Sequence, residues 1–309
     1  MNLDALLADA IQRNASDIHL LLLSDQTTQM RYRIYGQLTK RESFSNGLTL
    51  INKIKINADL NVAESRRIQE GQFSFVLHGD TYFIRVSIVN SDLGEKVALR
   101  VLSPLKQLSL VKLGLSIAQN NALEHAISQK SGLILVCGAT GSGKTTTLYS
   151  CLERIDDGSR TIYTIEDPIE LPLPNIYQFE PNDSLEIDTL ALLKSFMRQD
   201  PDVIMVGEIR DAKTADLAIS AALTGHLVLA TIHANSPLNV IHRCRHWNLD
   251  FFSLVSSLSL IIHQSMRYEE QGCKPKFSIL RPKWGVNLPS TYQALIQETD
   301  LWQQVGSES

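Results

Sequence analysis

Residues Gly138 to Thr145 read GATGSGKT, and this spacing of glycines, lysine and hydroxyl is the pattern of a phosphate-binding loop. The flanks supply the context that the pattern needs. GLILVC (132–137) reads as a short buried strand, and TTTLYSCLERI places Leu148, Leu152 and Ile155 on one face of a helix. A strand, a glycine-rich turn and a helix would aim backbone N–H groups at an anion. On this reading Gly138, Ala139, Thr140, Gly141, Ser142, Gly143, Lys144, Thr145 and Thr146 form a nucleotide cradle. Lys144 supplies a point charge at the β- and γ-phosphates, and Thr145 supplies a hydroxyl to Mg²⁺. The loop implies that the chain binds a nucleoside triphosphate.

At 309 residues, two domains are expected, each with its own core. A net charge of −4 gives no general attraction to nucleic acid or anionic lipid. Cys137, Cys151, Cys244 and Cys273 include no CxxC pair, which argues against zinc and against a disulfide framework. The start, MNLDALLADA, lacks the basic region of a signal peptide. No apolar run reaches the roughly eighteen residues that suggest a membrane helix. These features predict a cytoplasmic protein that meets the membrane only through partners.

The first hundred residues differ in character from the rest. Leu3, Leu6, Leu7, Ala10 and Ile11 follow helical spacing. Strand-like stretches follow at 17–23, 29–35, 71–77, 82–89 and 96–102, with a helical segment around 50–60. This pattern predicts an α+β domain over 1–102. Pro104 and Gly114 mark a linker over 103–114. Residues 115–309 alternate strand and helix, which predicts an α/β nucleotide-binding domain, with a helical C-terminal part.

The strands of the second domain end in polar residues. TIYTI (161–165) runs into Glu166 and Asp167, VIMV (203–206) into Gly207 and Glu208, and LVLATI (227–232) into His233. In a parallel sheet the carboxyl ends share one edge, where ligands bind. Glu166 is expected to activate water, unless it and Asp167 merely cap the following turn. Among Asp202, Glu208 and Asp211, one carboxylate is expected to hold Mg²⁺, and Glu208, following the strand directly, is the choice. His226 and His233 flank the last strand and are candidate sensors of the γ-phosphate, set against the ordinary fate of histidine as a hydrogen-bonded residue. His242 and His246, four apart and interleaved with Arg243 and Arg245, read as a basic helix face rather than a metal site.

Four segments, GATGSGKTTTL, TIEDPIE, RQDPDVIMVGEIRD and TGHLVLATIHAN, resemble in order the Walker A, Asp box, Walker B and His box of the secretion ATPases. That family powers type II secretion, type IV pili and competence pseudopili. SDIHL (16–20), LNVAESRRIQEG (60–71) and IRVSIVNSDLGEKVALRVL (84–102) resemble its second N-terminal domain, which is PAS-like. The resemblance implies a RecA-like P-loop fold, a homo-hexamer, ATP with Mg²⁺ and a polytopic inner-membrane platform protein as partner. It also implies that Arg85 and Arg100 contact the terminal phosphate and that Arg198 and Arg210 bracket Walker B. The chain begins at the second N-terminal domain, has Cys273 in place of a four-cysteine zinc loop, and carries HQSMRY (263–268) where the family has QRL. It lacks the AIRNLIRE-type signature of retraction motors. In these respects it resembles the competence ATPases of Gram-positive bacteria, which assemble a pseudopilus for DNA uptake. A retraction or type II secretion motor, a nucleotide-gated scaffold and a DNA translocase are the alternatives.

Overall fold

The computed structural model describes residues 2–102, 109–182, 185–269, 272–284 and 288–306. The chain forms two compact units, Met1–Lys106 and Gln107–Ser309.

The first unit opens with α1 (Leu3–Gln12), whose N-terminus is closed by the Asn2 side chain accepting from the Ala5 N–H at 2.7 Å. Its buried residues Leu3, Leu6, Leu7 and Ala10 form the expected stripe. The chain continues through β1 (Ala15–Leu23), β2 (Thr28–Ile34), β3 (Gln37–Leu38), β4 (Glu42–Phe44), α2 (Gly47–Asn57), β5 (Gln69–Leu77), β6 (Asp80–Ser91) and β7 (Gly94–Leu102). The sheet order is β3-β2-β1-β7-β6-β5, with β4 on β2, and its pairings are antiparallel. Ile18 and Leu20 on β1, Ile84, Val86 and Ile88 on β6, and Val97 and Leu99 on β7 share a core with Leu50, Ile51 and Ile54 of α2. Lys55 and Glu95 are also buried, 2% and 8% exposed. The Lys55 ammonium donates to Glu95 at 2.6 Å and to the Glu64 carbonyl at 2.9 Å.

The second unit contains α3 (Ile117–Ile127), β8 (Gly132–Cys137), α4 (Lys144–Ile155), β9 (Ile162–Ile165), β10 (Tyr177–Phe179), α5 (Thr189–Phe196), β11 (Val203–Ile209) and α6 (Ala212–Leu223). These are followed by β12 (Leu227–Ile232), α7 (Pro237–His246), α8 (Phe251–Ser257), β13 (Leu258–Glu269), β14 (Gly272–Pro282), α9 (Tyr292–Gln297) and β15 (Trp302–Val305). Its sheet runs β10-β9-β11-β12-β8-β13-β14-β15. Strands β10 through β13 in that order pair in parallel, and β14 and β15 are antiparallel. Every residue of β8 and β12 is buried, as expected for strands covered on both faces.

Two boundaries differ from expectation. Leu110 and Leu113 are buried in a short 3₁₀ turn, so residues 109–114 join the second unit; the rest of the expected linker, 103–108, lies outside the described residues. The C-terminal part is not chiefly helical, because β13, β14 and β15 extend the sheet. Leu260, Ile261 and Ile262 are all buried, and a run of apolar side chains covered on both faces fits a strand beside β8 better than an amphipathic helix.

Candidate functional site

The phosphate loop leaves β8 at Gly138 and enters α4 at Lys144. A Cβ at Gly138 would lie 2.1 Å from the Gln264 carbonyl oxygen, and its φ is +147°, so only glycine fits there. Helices α3, α5, α6, α7, α8 and α9 each begin with a side chain accepting from the first turn. Helix α4 does not. Its first-turn N–H groups are therefore left for a ligand, and Lys144, Thr145 and Thr146 line a cavity of about 580 Å³. Thr140, Gly141 and Gly143 line it from the loop, and Asp167, Glu170, Glu208, Arg210 and His233 line it from the ends of β9, β11 and β12. That size suits a nucleotide-sized ligand. The open first turn of α4, with an ammonium beside it, fits a polyphosphate.

Lys144 donates to the Gly138 and Ala139 carbonyls, both at 3.0 Å. Burial pulls its pKa below the ordinary lysine value, while the Glu208 carboxylate acts the other way. Glu208 is held from two sides: Arg210 donates to one oxygen at 2.5 Å, and His233 Nε2 pairs with the other. Arg210 also lies 3.5 Å from Asp167. Its bond to Glu208, then that charge, raises its already high pKa.

Glu166 also lines the cavity, but its carboxylate is engaged by the protein itself. Its N–H still donates to the Phe179 carbonyl at 2.9 Å, so the β9 ladder continues through it and its side chain shares a face with Thr164. It is 4% exposed. One carboxylate oxygen accepts from Thr164 Oγ1 at 2.6 Å and Gln178 Nε2 at 2.9 Å, and the other accepts from the Tyr149 hydroxyl. A carboxylate engaged by three donors has little capacity left to take a proton from water. Four residues on, Glu170 lines the cavity with an oxygen 3.4 Å from Thr145 Oγ1. Glu170 stands within the TIEDPIE segment, but sequence reasoning passed over it because it does not directly follow a strand.

Other expected residues are dispersed. His226 precedes β12, and its Nδ1 bonds the Ala221 carbonyl at 2.9 Å. A six-residue strand is about 20 Å long, so His226 sits at the opposite sheet edge from His233 and is not in this cavity. Asp202 likewise precedes β11 and accepts from the Thr161 N–H at 2.7 Å. Arg198 is exposed after α5 and does not line the cavity. Asp211, by contrast, lines the cavity while it closes the N-terminus of α6 through the Thr214 N–H at 2.9 Å. Arg243 lies over the Trp247 ring at 4.6 Å, and Arg245 bonds Gln293 at 3.1 Å. In the first unit, Arg85 and Arg100 are direct cross-strand partners on β6 and β7. Asp17 binds Arg100 at 3.0 Å and approaches Arg33 at 3.6 Å, an anchor that the sequence did not suggest.

Gln264 was also missed. It is buried on β13, where it accepts from Thr147 Oγ1 at 2.7 Å, and a Cβ at Gly143 would lie 2.8 Å from its Nε2. It thus braces the phosphate loop from beneath. No periodicity marks such a residue in advance.

The sequence profile described as "Type II/IV secretion system protein" matches residues 1–309. The chain belongs to that family. It is 37% identical over 309 residues to a type II secretion system protein E of Aeromonas hydrophila, covering 99% of this chain and 61% of that protein. It is 42% identical over 267 residues to a putative type II secretion system protein E of Escherichia coli, covering 85% of this chain and 54% of that protein. The chain thus spans little more than half the length of these relatives. A solved structure of the pilus retraction motor PilT with bound ADP superposes with a TM-score of 0.71 at 29% identity, covering 97% of this chain and 87% of that one. The chain has the RecA-like P-loop fold of that family. Among the described residues no helix is long and apolar enough to cross a membrane.

Proposed function

We propose that this chain hydrolyses Mg²⁺–ATP as a homo-hexameric motor that assembles a pilus-like filament, at the cytoplasmic face of a membrane and against a polytopic platform protein. The observation that carries the reading is the convergence of Lys144, Thr145, Glu170 and Glu208 on one cavity beside the open first turn of α4. Thr145 and Glu208 would hold the cation, which neutralises phosphate charge when bound and prefers oxygen ligands with retained waters. Glu170 takes the water-activating role first given to Glu166. Glu208, bridged to His233 and Arg210, positions the reacting groups.

The greater identity to proteins named for type II secretion than to the retraction motor PilT supports a motor of the secretion kind over a retraction motor. Within that reading we assign the filament to DNA uptake, on the single cysteine, Cys273, where a four-cysteine zinc loop would need four. Disrupting the gene in its host is expected to abolish transformation, and a Lys144→Ala copy is expected not to restore it. Normal transformation with loss of secreted proteins would transfer the assignment to type II secretion. Purified protein is expected to shift to a hexamer by light scattering with a non-hydrolysable ATP analogue, with no change in ATPase rate on adding DNA across a salt series. A monomer at every concentration with full activity would overturn the ring, and severalfold stimulation by DNA would favour a translocase.

A further inference from the structure

The Tyr149 side chain has no place in the cavity, yet it connects two parts of the site. It stands on α4, one turn after Lys144 and Thr145, and is fully buried. Its hydroxyl donates to the inner oxygen of Glu166 and accepts from the Glu170 N–H at 3.3 Å. Burial, then the adjacent Glu166 charge, pushes the phenol well above the ordinary tyrosine value, so it remains a donor at any physiological pH. Gln178 pins the same loop further on: its amide donates to the Leu171 carbonyl at 3.0 Å and accepts from the Leu173 N–H at 2.6 Å. The Ile169 N–H is taken by Glu180 at 2.6 Å. Among these bonds, that of Tyr149 ties the Glu170 backbone to the helix that carries the phosphate-binding lysine, beside the contact of Thr145 with the Glu170 side chain.

We propose that Tyr149 is a positioning residue for ATP hydrolysis, a latch that uses the buried Glu166 carboxylate as its anchor and holds Glu170 in register with Lys144 and Thr145. The inference rests on Glu170 being the water-activating carboxylate. Glu166 then serves to orient the tyrosine hydroxyl, with Thr164 and Gln178 fixing its other oxygen. Because α4 begins at the phosphate loop, the latch gives the loop and the carboxylate a common frame. A displacement of about 1 Å in such a frame can cost on the order of a hundredfold in rate. Loss of one hydroxyl, with Gln178 still in place, is expected to cost about tenfold.

The experiment is a double-mutant cycle on the full chain, reading kcat and KM for ATP and the affinity for a fluorescent ADP analogue. Tyr149→Phe is expected to lower kcat about tenfold and leave KM, ADP affinity and the number of ADP sites per chain within twofold; a simple loss of fold would lower the number of ADP sites along with the rate. In the Glu170→Gln background, adding Tyr149→Phe is expected to change kcat less than twofold, since the latch acts only through that carboxylate. An undiminished kcat in Tyr149→Phe, or a further tenfold fall in the double variant, overturns the latch. Glu166→Gln keeps an oxygen to accept from the tyrosine and is expected to retain kcat within about threefold. A loss in Glu166→Gln matching that of Glu170→Gln overturns the anchor role, and this arm decides should Tyr149→Phe fail to fold. A wild-type rate in Glu170→Gln would instead sink the underlying reading of the site.

Discussion

Glu170→Gln is expected to bind ATP normally and to turn it over more slowly by on the order of a hundredfold or more. The substitution keeps the side chain's shape and its contact with Thr145 Oγ1, and removes only the basicity that draws a proton from water. Lys144→Ala is expected to lose at least as much turnover for a different reason. Its ammonium is the positive charge at the loop, facing Glu208 and Glu170, both of which raise its pKa against the effect of burial. Without it, two carboxylates meet the phosphates with no lysine between them, so ground-state binding weakens along with the rate. Phosphate release and nucleotide affinity, measured side by side, separate the two. Equal affinity loss in both variants would remove Glu170 from the chemistry, and full turnover in Lys144→Ala would show that hydrolysis does not run through this loop.

Lys55→Ala is expected to destabilise the first unit by about 3–5 kcal/mol. The lysine is nearly inaccessible and supplies the close cationic partner of Glu95, itself buried at the start of β7. Truncation leaves a carboxylate in an apolar setting and removes the donor to the Glu64 carbonyl. Replacing both partners, Lys55→Met with Glu95→Leu, removes the charges together and is expected to recover most of the loss. Urea unfolding of the full chain, followed through the transition of the first unit, checks both. A midpoint for Lys55→Ala within error of wild type would show that water reaches the pair.

The sheet of the second unit was legible where strands were apolar runs. The segments around β8, β9, β11 and β12 are largely apolar, interrupted by Thr164 in β9 and Thr231 in β12, and their carboxyl ends gather the residues of the site. The same logic brought Glu166 to the cavity without showing how its carboxylate is engaged, because adjacency to a strand does not tell where the strand ends. The ladder runs one residue further, and the period of two then turns that carboxylate inward. Polarity at both ends of LVLATI also left His226 and His233 equivalent until strand direction separated them by the strand's length. In the first unit, the mixed stretch GLTLINKIKIN read as a helix without showing that Lys55 would lie on its buried face. The Tyr149–Glu166 and Thr147–Gln264 bonds were invisible for another reason: they join residues 17 and 117 positions apart, and neither disturbs a periodicity.

The contact of Gln264 with Thr147, and the crowding of its backbone against Gly138, give the phosphate loop a mechanical property as well as a shape. Strand β13 pairs along β8 from Leu133 to Cys137, and β14 and β15 are hydrogen-bonded outward from it. A load applied to that C-terminal flank is carried in shear across these ladders and reaches the loop through one rigid amide rather than through a flexible linker. The loop is thus stiff toward β13, and on its other side Tyr149 ties α4 to the segment between β9 and β10 that carries Glu170. Under such a load the phosphate loop and the C-terminal strands of this unit are expected to move as one body.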